Sequence, residues 1–402
     1  MRLTGARAVP AGVWALGFVS MLMDISSEMI HGLLPIYMVT VLGTSVLAVG
    51  VIEGVAEATA AITKVFSGAL SDRRGQRKRL AVAGYALAAL TKPVFPLAPM
   101  LVPTLGWLVG ARFVDRIGKG IRGAPRDALV ADLTPAHLRG AAFGLRQTLD
   151  TFGAFLGPLL AMGLMWLTAS SFQTVFTVAV IPAFAAVAVL LFAVREPPRA
   201  TPLTARPSPL SRGELSRLGG AYWRVVAIGV VFALARFSEA FLILRAQSVG
   251  LAPMWAPAAL VVMSLAYALS AYPAGVLSDR TGRVAVLAVG LALLVTGNVV
   301  LAVASDIATV AVGVALWGLH MGFTQGLFAA LIADSAPTDL RGTAFGVFNL
   351  LTGLAVLAAS VIAGALWDTV GPRGTFLAGA TFALATLAGL GALRRQLAGT
   401  DT

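Results

Sequence analysis

The sequence predicts an all-α membrane protein, with 12 transmembrane helices in two pseudo-symmetric six-helix bundles around a central cavity. Of its 402 residues, 58% are hydrophobic and 12% are charged, which is about half the charged fraction of an average soluble chain. The apolar runs are about 20 residues long and do not alternate with polar residues, so helices are favoured over a barrel. The third observation is a repeat that relates the two halves of the chain.

Twelve apolar runs are long enough to span a bilayer. They cover residues 11–40, 46–70, 79–98, 104–131, 140–166, 171–194, 221–247, 253–277, 284–304, 307–334, 342–366 and 372–394. The first run carries acids and is followed by similar segments, so it is not a cleaved signal peptide. The absence of cysteine excludes disulfides and thiolate metal sites.

The distribution of bases predicts the orientation of the chain. Five bases lie in the loop after span 2 and five in the linker after span 6. The turns near 41–45, 98–103, 167–170 and 249–253 hold none. The positive-inside rule therefore places both termini in the cytoplasm of a multi-pass protein of the inner or plasma membrane. It also explains much of the net charge of +12, so we expect no nucleic-acid partner.

Two internal matches divide the chain into halves. Gly68–Gly75 resembles Gly275–Gly282, and Ala131–Leu145 resembles Ala333–Val347, with similar shifts. A parallel repeat of this kind predicts a cavity between two related bundles. The domains expected are an N-terminal bundle (1–194), a Pro-rich cytoplasmic linker (195–220) and a C-terminal bundle (221–402).

Span 4 places seven charges on one helical face. They are Arg112, Asp115, Arg116, Lys119, Arg122, Arg126 and Asp127. Wound as a helix, they fall within an arc of roughly 140°. Because charge within a membrane is costly, this face predicts the lining of a polar cavity. The alternative is a cytoplasmic helix end whose bases reach the headgroups; it accounts for Arg126 and Arg122 but not for the deeper Arg112 and Arg116.

Other spans carry further ionisable or polar residues. These are Asp24, Glu28 and His31 in span 1, Glu53, Glu57 and Lys64 in span 2, Lys92 in span 3, Arg146 and Asp150 in span 5, Arg236 and Glu239 in span 7, and His320 and Gln325 in span 10. Desolvation raises the pKa of a buried carboxyl group and nearby bases lower it, so a group subject to both can take and release a proton. Asp24, Glu28 and Asp150 are the candidates. The alternative is static pairing, of Asp24 or Glu28 with Arg112 or Arg116, and of Asp150 with Arg146.

The balance of cavity charge favours an anionic or zwitterionic substrate, because arginine binds carboxylate and phosphate groups with two parallel hydrogen bonds. Glu28 and His31 have metal-ligand spacing, with His320 as a third ligand, but the basic face would repel a cation. In the C-terminal half, Phe237, Phe241, Trp317 and Phe323 form an apolar wall for binding or for packing. No cofactor, metal site or catalytic residue is expected, since the sequence holds no nucleophile–base constellation or Walker-type loop.

The stretch Gly68-x-x-x-Asp72-Arg73-x-Gly75-x-Arg77-Lys78 resembles the loop 2–3 signature of the major facilitator superfamily, a likeness that extends over essentially the whole chain. In that family the aspartate latches the two halves together on the cytoplasmic side. The resemblance implies a latch at the start of span 11, made by Gly68, Asp72, Arg73, Gly75, Arg77 and Asp132, with Asp279 and Arg280 in the second copy. Positive-inside charge is the alternative for Arg77, Lys78 and Arg79.

Span 5 resembles the signature of that family's antiporters through Gly144, Gly153, Gly157 and Pro158. The final Gly-Gly of the signature is replaced by Ala161-Met162. Arg112 stands where the family often carries an arginine linked to proton coupling. Asp115 and Arg116 replace a neutral residue and a glycine of the family pattern, so we expect a more charged and more specific cavity.

The sequence therefore predicts a secondary transporter rather than an enzyme. We expect proton-coupled efflux of a small organic substrate, anionic or amphiphilic, by alternating access, from a monomer in the lipid bilayer. The alternatives are a cationic multidrug/proton antiporter, a divalent-metal exporter and a lipid or lysolipid translocase. A sensor or assembly factor would not need buried titratable residues.

Overall fold

The structure, a computed structural model, describes residues 9–74, 76–102, 104–135, 138–196, 215–337 and 340–398. We number its longer helices in chain order. They are α1 (Ala11–His31), α2 (Val46–Arg74), α3 (Arg77–Thr91), α4 (Thr104–Leu133), α5 (Arg139–Leu167), α6 (Phe172–Ala193), α7 (Gly220–Leu234), α8 (Ala240–Ser248), α9 (Ala258–Thr281), α10 (Arg283–Val303), α11 (Ile307–Ser335), α12 (Arg341–Val370) and α13 (Pro372–Ala398).

The helical membrane-protein fold is confirmed. Ten helical segments of the described residues are long and apolar enough to cross a membrane. The charged helix α4 is 30 residues long, and α7 is a shorter apolar helix of 15 residues. The observed helices follow the predicted spans closely, because long apolar runs bounded by Gly, Pro and charged residues leave little freedom in where a membrane helix ends. The count of 12 spans stays a prediction.

Three predicted spans are interrupted in the structure. Helix α1 gives way after His31 to a short helix (Leu34–Ile36) and a π-helical turn (Tyr37–Val41). Helix α3 ends before Pro93, which restricts the preceding residue and cannot donate a backbone hydrogen bond. The seventh span, predicted as one helix, separates into α7 and α8 around a non-helical segment at 235–239. Irregular backbone at this depth is typical of transporter helices that line a cavity.

The chain divides into two compact units. The first is drawn from Met1–Tyr37 and Thr59–Pro207, and the second from Met38–Ala58 and Ser208–Thr402. Helix α2 therefore contributes its first part to the second unit and its remainder to the first. Glu53 and Glu57 thus belong to a different unit from Lys64, with which they share a predicted helix face.

Close approach of helices holds the first unit together. A Cβ atom on Gly84 of α3 would lie 2.7 Å from the Gly118 carbonyl oxygen of α4, and one on Gly118 would lie 2.7 Å from the Gly84 carbonyl oxygen. A Cβ atom on Gly120 of α4 would lie 2.8 Å from the Ala60 carbonyl oxygen of α2. Small residues allow such backbone contact between membrane helices, and here they fix α4 against both α2 and α3.

The second unit has its own core, in which α7 packs near α11 and the start of α12. Tyr222 and Ile332 are fully buried in it, and the Tyr222 hydroxyl donates to the Ala344 carbonyl oxygen at 2.9 Å. This hydrogen bond satisfies the polar end of the ring in an apolar setting.

The first part of α2 packs tightly on α12. A Cβ atom on Gly54 would lie 2.9 Å from a methyl carbon of Leu357, and one on Gly364 would lie 2.7 Å from the Cα of Leu47. Asp368, near the end of α12, accepts from the Val46 N–H at 3.1 Å and from the Leu47 N–H at 2.9 Å. A carboxylate from one helix thus caps the positive N-terminal end of another.

Candidate functional site

The charged face of α4 turns into the protein. Arg112, Asp115, Arg116 and Arg122 are all buried, whereas Phe113 on the opposite face is 42% exposed. The glycine contacts of α4 with α2 and α3 explain this orientation, because they fix which side of α4 faces its neighbours. The structure thus brings four of the seven predicted charges into the interior of the first unit.

Lys92 and Asp115 form a buried ion pair. The Lys92 Nζ lies 3.0 Å from the Asp115 Oδ1 and also donates to the Ser27 hydroxyl at 3.1 Å. Lys92 sits at the end of α3, just before Pro93. The sequence predicted no role for this lysine, and the signal it offered was a base inside an apolar span.

Three arginines complete the surroundings of Asp115. Arg112, Arg116 and Arg122 all lie within electrostatic range of its carboxylate. The Arg122 guanidinium is stacked 4.8 Å from the centre of the Tyr85 ring, an arrangement that favours a cation. These contacts bury Arg122 among the helices of the first unit.

His31 contacts the same group through Arg112. The Arg112 Nη2 lies 2.7 Å from the His31 Nδ1. Because arginine only donates, the His31 Nδ1 accepts this hydrogen bond. That nitrogen is therefore engaged, and among the described residues there is no group of three or more His, Cys, Asp or Glu side chains suited to a metal ion.

A second set of ion pairs lies further along α4. The Arg146 Nη1 lies 2.6 Å from the Asp150 Oδ2, the pairing that the sequence left open as the alternative to a proton-coupling role. Arg126 pairs with Asp127 at 3.0 Å. Arg126 also donates to the Ser20 hydroxyl at 2.9 Å. The Arg126 guanidinium is therefore bonded within the protein.

Asp24 and Glu28 lie where α1 meets the glycines of the antiporter motif. A Cβ atom on Gly153 would lie 3.2 Å from the Cβ of Asp24, and one on Gly157 would lie 2.7 Å from the Cβ of Glu28. Gly144 differs, because no atom lies within 4 Å of its Cβ position. Two of the three motif glycines thus bring α5 against the two carboxylates of α1, and Pro158 follows within the same helix.

Electrostatic neighbours connect these groups. Asp24 is within range of Asp150, Arg122, Lys119 and Arg126. We call the ionisable side chains that these helices bring to this region of the first unit the charge network. It contains the bases Lys64, Lys92, Arg112, Arg116, Lys119, Arg122, Arg126 and Arg146, the acids Asp24, Glu28, Asp115, Asp127 and Asp150, and His31. Eight bases face five acids, so its formal charge is positive.

Part of the predicted cytoplasmic latch lies within the described residues. Arg77 pairs with Asp132 at 2.6 Å and donates to the Ala128 carbonyl oxygen at 2.8 Å, contacts that positive-inside charge alone does not require. The Cβ position of Gly68 lies 3.3 Å from the Cβ of Ala124. Arg280 is exposed at the end of α9. The side chains of Asp72, Arg73 and Asp279, and Gly75 as a whole, lie outside the described residues.

The second unit brings Arg236 and His320 to one aromatic ring. The Arg236 guanidinium lies 5.5 Å from the centre of the Phe232 ring, and the His320 ring lies 6.4 Å from it. Arg236 and Glu239 both belong to the non-helical segment between α7 and α8. Within the described part of the chain, neither ring nitrogen of His320 has a hydrogen-bond partner. Gln325 is half-buried.

The predicted aromatic wall is mostly internal packing. The Phe237 ring lies 5.3 Å from that of Phe241 and 5.2 Å from that of Trp317. All three are buried, and Phe323 is half-buried. Of the two interpretations left open by the sequence, packing accounts for Phe237, Phe241 and Trp317.

Ionisable side chains buried among membrane-crossing helices define the class of protein, a polytopic membrane transporter. The sequence model of the Major Facilitator Superfamily matches residues 16–259 and 240–398. The chain therefore belongs to that superfamily, and the resemblance seen in its motifs is confirmed.

Similar proteins agree with this assignment. The uncharacterized MFS-type transporter MJ1317 of Methanocaldococcus jannaschii is 34% identical over 389 residues, which is 94% of each chain. The inner membrane transport protein YajR of Escherichia coli is 27% identical over 92% of this chain and 80% of its own. The multidrug resistance protein MdtH of Photorhabdus laumondii is 32% identical over 170 residues, covering 42% of this chain and 40% of its own.

Solved structures show the same fold. A transporter of the POT family, crystallised with a thioalcohol-conjugated peptide, superposes with a TM-score of 0.79 at 15% identity, over 98% of this chain and 99% of its own. At that identity the likeness concerns the fold alone.

Proposed function

We propose that the chain is a proton-coupled secondary transporter that exports a small organic anion or amphiphile by alternating access. The observation that carries this proposal is the position of Asp24 and Glu28. Both face glycines of the antiporter motif, and Asp24 is within electrostatic range of Arg122, Lys119 and Arg126. A carboxylate near bases can alternate between an ion pair and a protonated state as its surroundings change.

The glycine contacts supply a mechanical link for this alternation. Gly153 and Gly157 allow α5 to touch α1 at the two carboxylates, so movement of one helix along the other changes their distance from α4. Asp150, on the same helix α5, is paired with Arg146 and lies 3.7 Å from Arg126. Proton uptake by one acid would release a base, and that base would become free to hold an anion.

The substrate class follows from the sign of the network. Its excess of bases favours an anionic head, since Arg side chains are suited to carboxylate and phosphate groups. The proposed direction, efflux, is supported by the antiporter motif and by the partial likeness to a multidrug resistance protein. That likeness also keeps a cationic drug antiporter as the second candidate; the basic face argues against it.

Related proposals concern the organisation of the protein. We infer that residues 1–194 and 221–402 act as two bundles joined by the linker 195–220, with both termini in the cytoplasm and the protein working as a monomer. The latch at Asp72 belongs to the same proposal, supported by the Arg77–Asp132 ion pair beside it. The likeness to an inner membrane transport protein supports that location.

The test measures proton movement and substrate charge together. Protein in liposomes with a lumenal pH dye is challenged with organic anions, organic cations and divalent metals. We expect anions to drive proton movement in the natural protein and in the control Arg373→Gln, an exposed position. Asp24→Asn and Glu28→Gln should abolish it. Proton movement driven by cations and unaffected by these two variants would overturn the proposal.

A further inference from the structure

Tyr85 of α3 is a fully buried tyrosine for which the sequence predicted no role. The helix contact beside it fixes its position. A Cβ atom on Gly84 would lie 2.7 Å from the Gly118 carbonyl oxygen of α4 and 2.6 Å from the Arg122 backbone nitrogen. Small residues allow two membrane helices to approach this closely. Tyr85 is therefore held against the charged face of α4.

The Tyr85 side chain contacts two arginines of α4 in different ways. The Arg122 guanidinium carbon lies 4.8 Å from the centre of the Tyr85 ring. The Tyr85 hydroxyl oxygen lies 3.2 Å from the Ser20 hydroxyl oxygen of α1, and either hydroxyl can donate. The Ser20 oxygen also accepts from the Arg126 Nη1 at 2.9 Å. One tyrosine thus orients two guanidinium groups that stand one turn apart on α4.

The Arg126 Nη1 has a second acceptor close by. The Nε and Nη2 of Arg126 lie 3.1 Å and 3.0 Å from the Asp127 Oδ1, so this side of the guanidinium is fixed. The Nη1 lies 3.7 Å from the Asp150 Oδ1, a buried oxygen with no hydrogen-bond partner among the described residues. Because a buried acceptor gains from an available donor, the bond to Ser20 competes with a closer approach of Arg126 to Asp150.

Asp24 follows Ser20 by one turn of α1, so the two residues lie on the same helix face. Ionisable groups surround Asp24 from α1 itself, α4 and α5, whereas α6, which also packs on α1, contains none. These groups are Glu28, Lys119, Arg122, Arg126 and Asp150. Because bases favour the ionised form of a carboxyl group and acids disfavour it, the positions of the two arginines influence whether Asp24 holds a proton.

We propose that Tyr85 is a positioning residue for proton coupling at Asp24. Its ring directs Arg122, and its hydroxyl directs Arg126 through Ser20. This inference rests on the proposed function, in which Asp24 takes and releases a proton. When the Arg126 Nη1 leaves Ser20, the Asp24 carboxylate loses part of the positive charge that stabilises it, and one of its oxygens gains a proton from water. Tyr85 therefore connects the position of α3 to the protonation of a group on α1.

Infrared spectroscopy measures this proton directly, because a protonated carboxyl group has a carbonyl band that a carboxylate lacks. The full chain in lipid is titrated with pH, and the band that is missing from Asp24→Asn is assigned to Asp24. Tyr85→Phe removes the hydroxyl and keeps the ring. We expect the midpoint of the Asp24 band to move to higher pH by about 0.5–1 unit in Tyr85→Phe. Tyr85→Leu, which also loses the contact with Arg122, should move it further.

Tyr222→Phe is the matched control. Tyr222 is also fully buried, and its hydroxyl donates one hydrogen bond, to the Ala344 carbonyl oxygen of the second unit at 2.9 Å. Each Tyr→Phe change therefore removes one buried hydrogen bond, and both should lower the thermal midpoint by a similar amount. Tyr222→Phe should leave the Asp24 titration unchanged, which separates positioning of the arginines from a general loss of stability.

Ser20→Ala tests the route from Tyr85 to Arg126. It removes the acceptor of the Arg126 Nη1, so the Asp24 midpoint should move in the same direction as in Tyr85→Phe. Because the Tyr85 hydroxyl acts through Ser20, the double variant Ser20→Ala/Tyr85→Phe should shift no further than Ser20→Ala alone. Shifts that add would overturn this route and the role assigned to the hydroxyl.

Two further results would overturn the proposal: a Tyr85→Phe variant that titrates as the natural protein does, or an equal shift in Tyr222→Phe. In both cases Asp24 still gains a proton, so the proposed function stands. If Asp24→Asn removes no band at any pH between about 4 and 10, Asp24 gains no proton. The positioning role and the coupling role of Asp24 are then both wrong.

Discussion

Asp115 has a different structural role from each base around it. Replacing Lys92 with methionine leaves three arginines to compensate Asp115, so we expect Lys92→Met to lower stability by about 1–2 kcal/mol. Asp115→Asn leaves four buried bases with no carboxylate, and we expect a loss of about 3–5 kcal/mol. Thermal unfolding in detergent should rank the two variants in this order.

A matched comparison tests the physical reason. Because the charges of Lys92 and Asp115 compensate each other, the double variant Lys92→Met/Asp115→Asn should be more stable than Asp115→Asn alone. If Lys92→Met proves the less stable variant, the ion pair with Lys92 dominates and the arginines contribute little.

At this scale the sequence predicted which charges of α4 are buried better than it predicted their partners. The charged face of α4 follows from helical periodicity within one segment. The pairing of Lys92 with Asp115 depends on how α3 and α4 are aligned, which the Gly84–Gly118 contact determines. Nothing local to either segment encodes that alignment.

Helix packing distinguishes the glycines of the antiporter motif. A methyl group on Gly157 would collide with Glu28 and the Ile25 carbonyl oxygen, whereas one on Gly144 meets no atom within 4 Å. We expect Gly157→Ala to lower stability by about 1–3 kcal/mol and to slow transport. Gly144→Ala should behave normally in both measurements, thermal midpoint and proton movement.

The opposite results would change the role that we assign to the motif. Normal transport by Gly157→Ala would mean that close contact of α1 with α5 is not needed. Loss of transport in Gly144→Ala at normal stability would assign this glycine a role in another conformation.

The cap on α2 can be tested against a local cap of the same chemistry. Asp368→Ala removes an acceptor that α12 supplies to α2, and Asp306→Ala removes one that serves its own helix, α11. We expect each to cost about 0.5–2 kcal/mol. Only Asp368→Ala should alter the transport rate, because only Asp368 joins two helices. Equal transport in both variants would make Asp368 a purely structural cap.

The interruption of the seventh span shows a limit of sequence patterns. Arg236 and Glu239 are one helical turn apart, which suggests a continuous helix with a paired face. The backbone at Ser238 is not helical; its N–H donates to the Ser360 hydroxyl of α12 at 3.1 Å. Hydropathy does not detect such a tertiary hydrogen bond.

The orientation of the chain in the membrane can be tested by labelling single introduced cysteines, because the natural sequence contains none. Val102, in the connection between α3 and α4, is 93% exposed, and the exposed Arg195 follows α6. In intact cells, a membrane-impermeant maleimide should label Val102→Cys but not Arg195→Cys. In inverted vesicles the pattern should reverse.

The same labelling pattern from both preparations would contradict the predicted orientation. The helical membrane fold was predictable because bilayer thickness fixes helix length, whereas the division of the chain into bundles 1–194 and 221–402 stays a prediction. The membership of Met38–Ala58 in the second unit was not predictable, since it depends on contacts of α2 with α12.

The buried charges around α4 have a consequence for the response to membrane voltage. Lys92, Arg112, Asp115, Arg116 and Arg122 are buried among membrane-spanning helices, and each net charge moved through a 100 mV field corresponds to about 2.3 kcal/mol. If a conformational step carried one net charge through a tenth of that field, the equilibrium would shift by about 0.2 kcal/mol. Protonation of Asp24 or Glu28 changes the net charge that moves, so the voltage dependence of transport should change with pH.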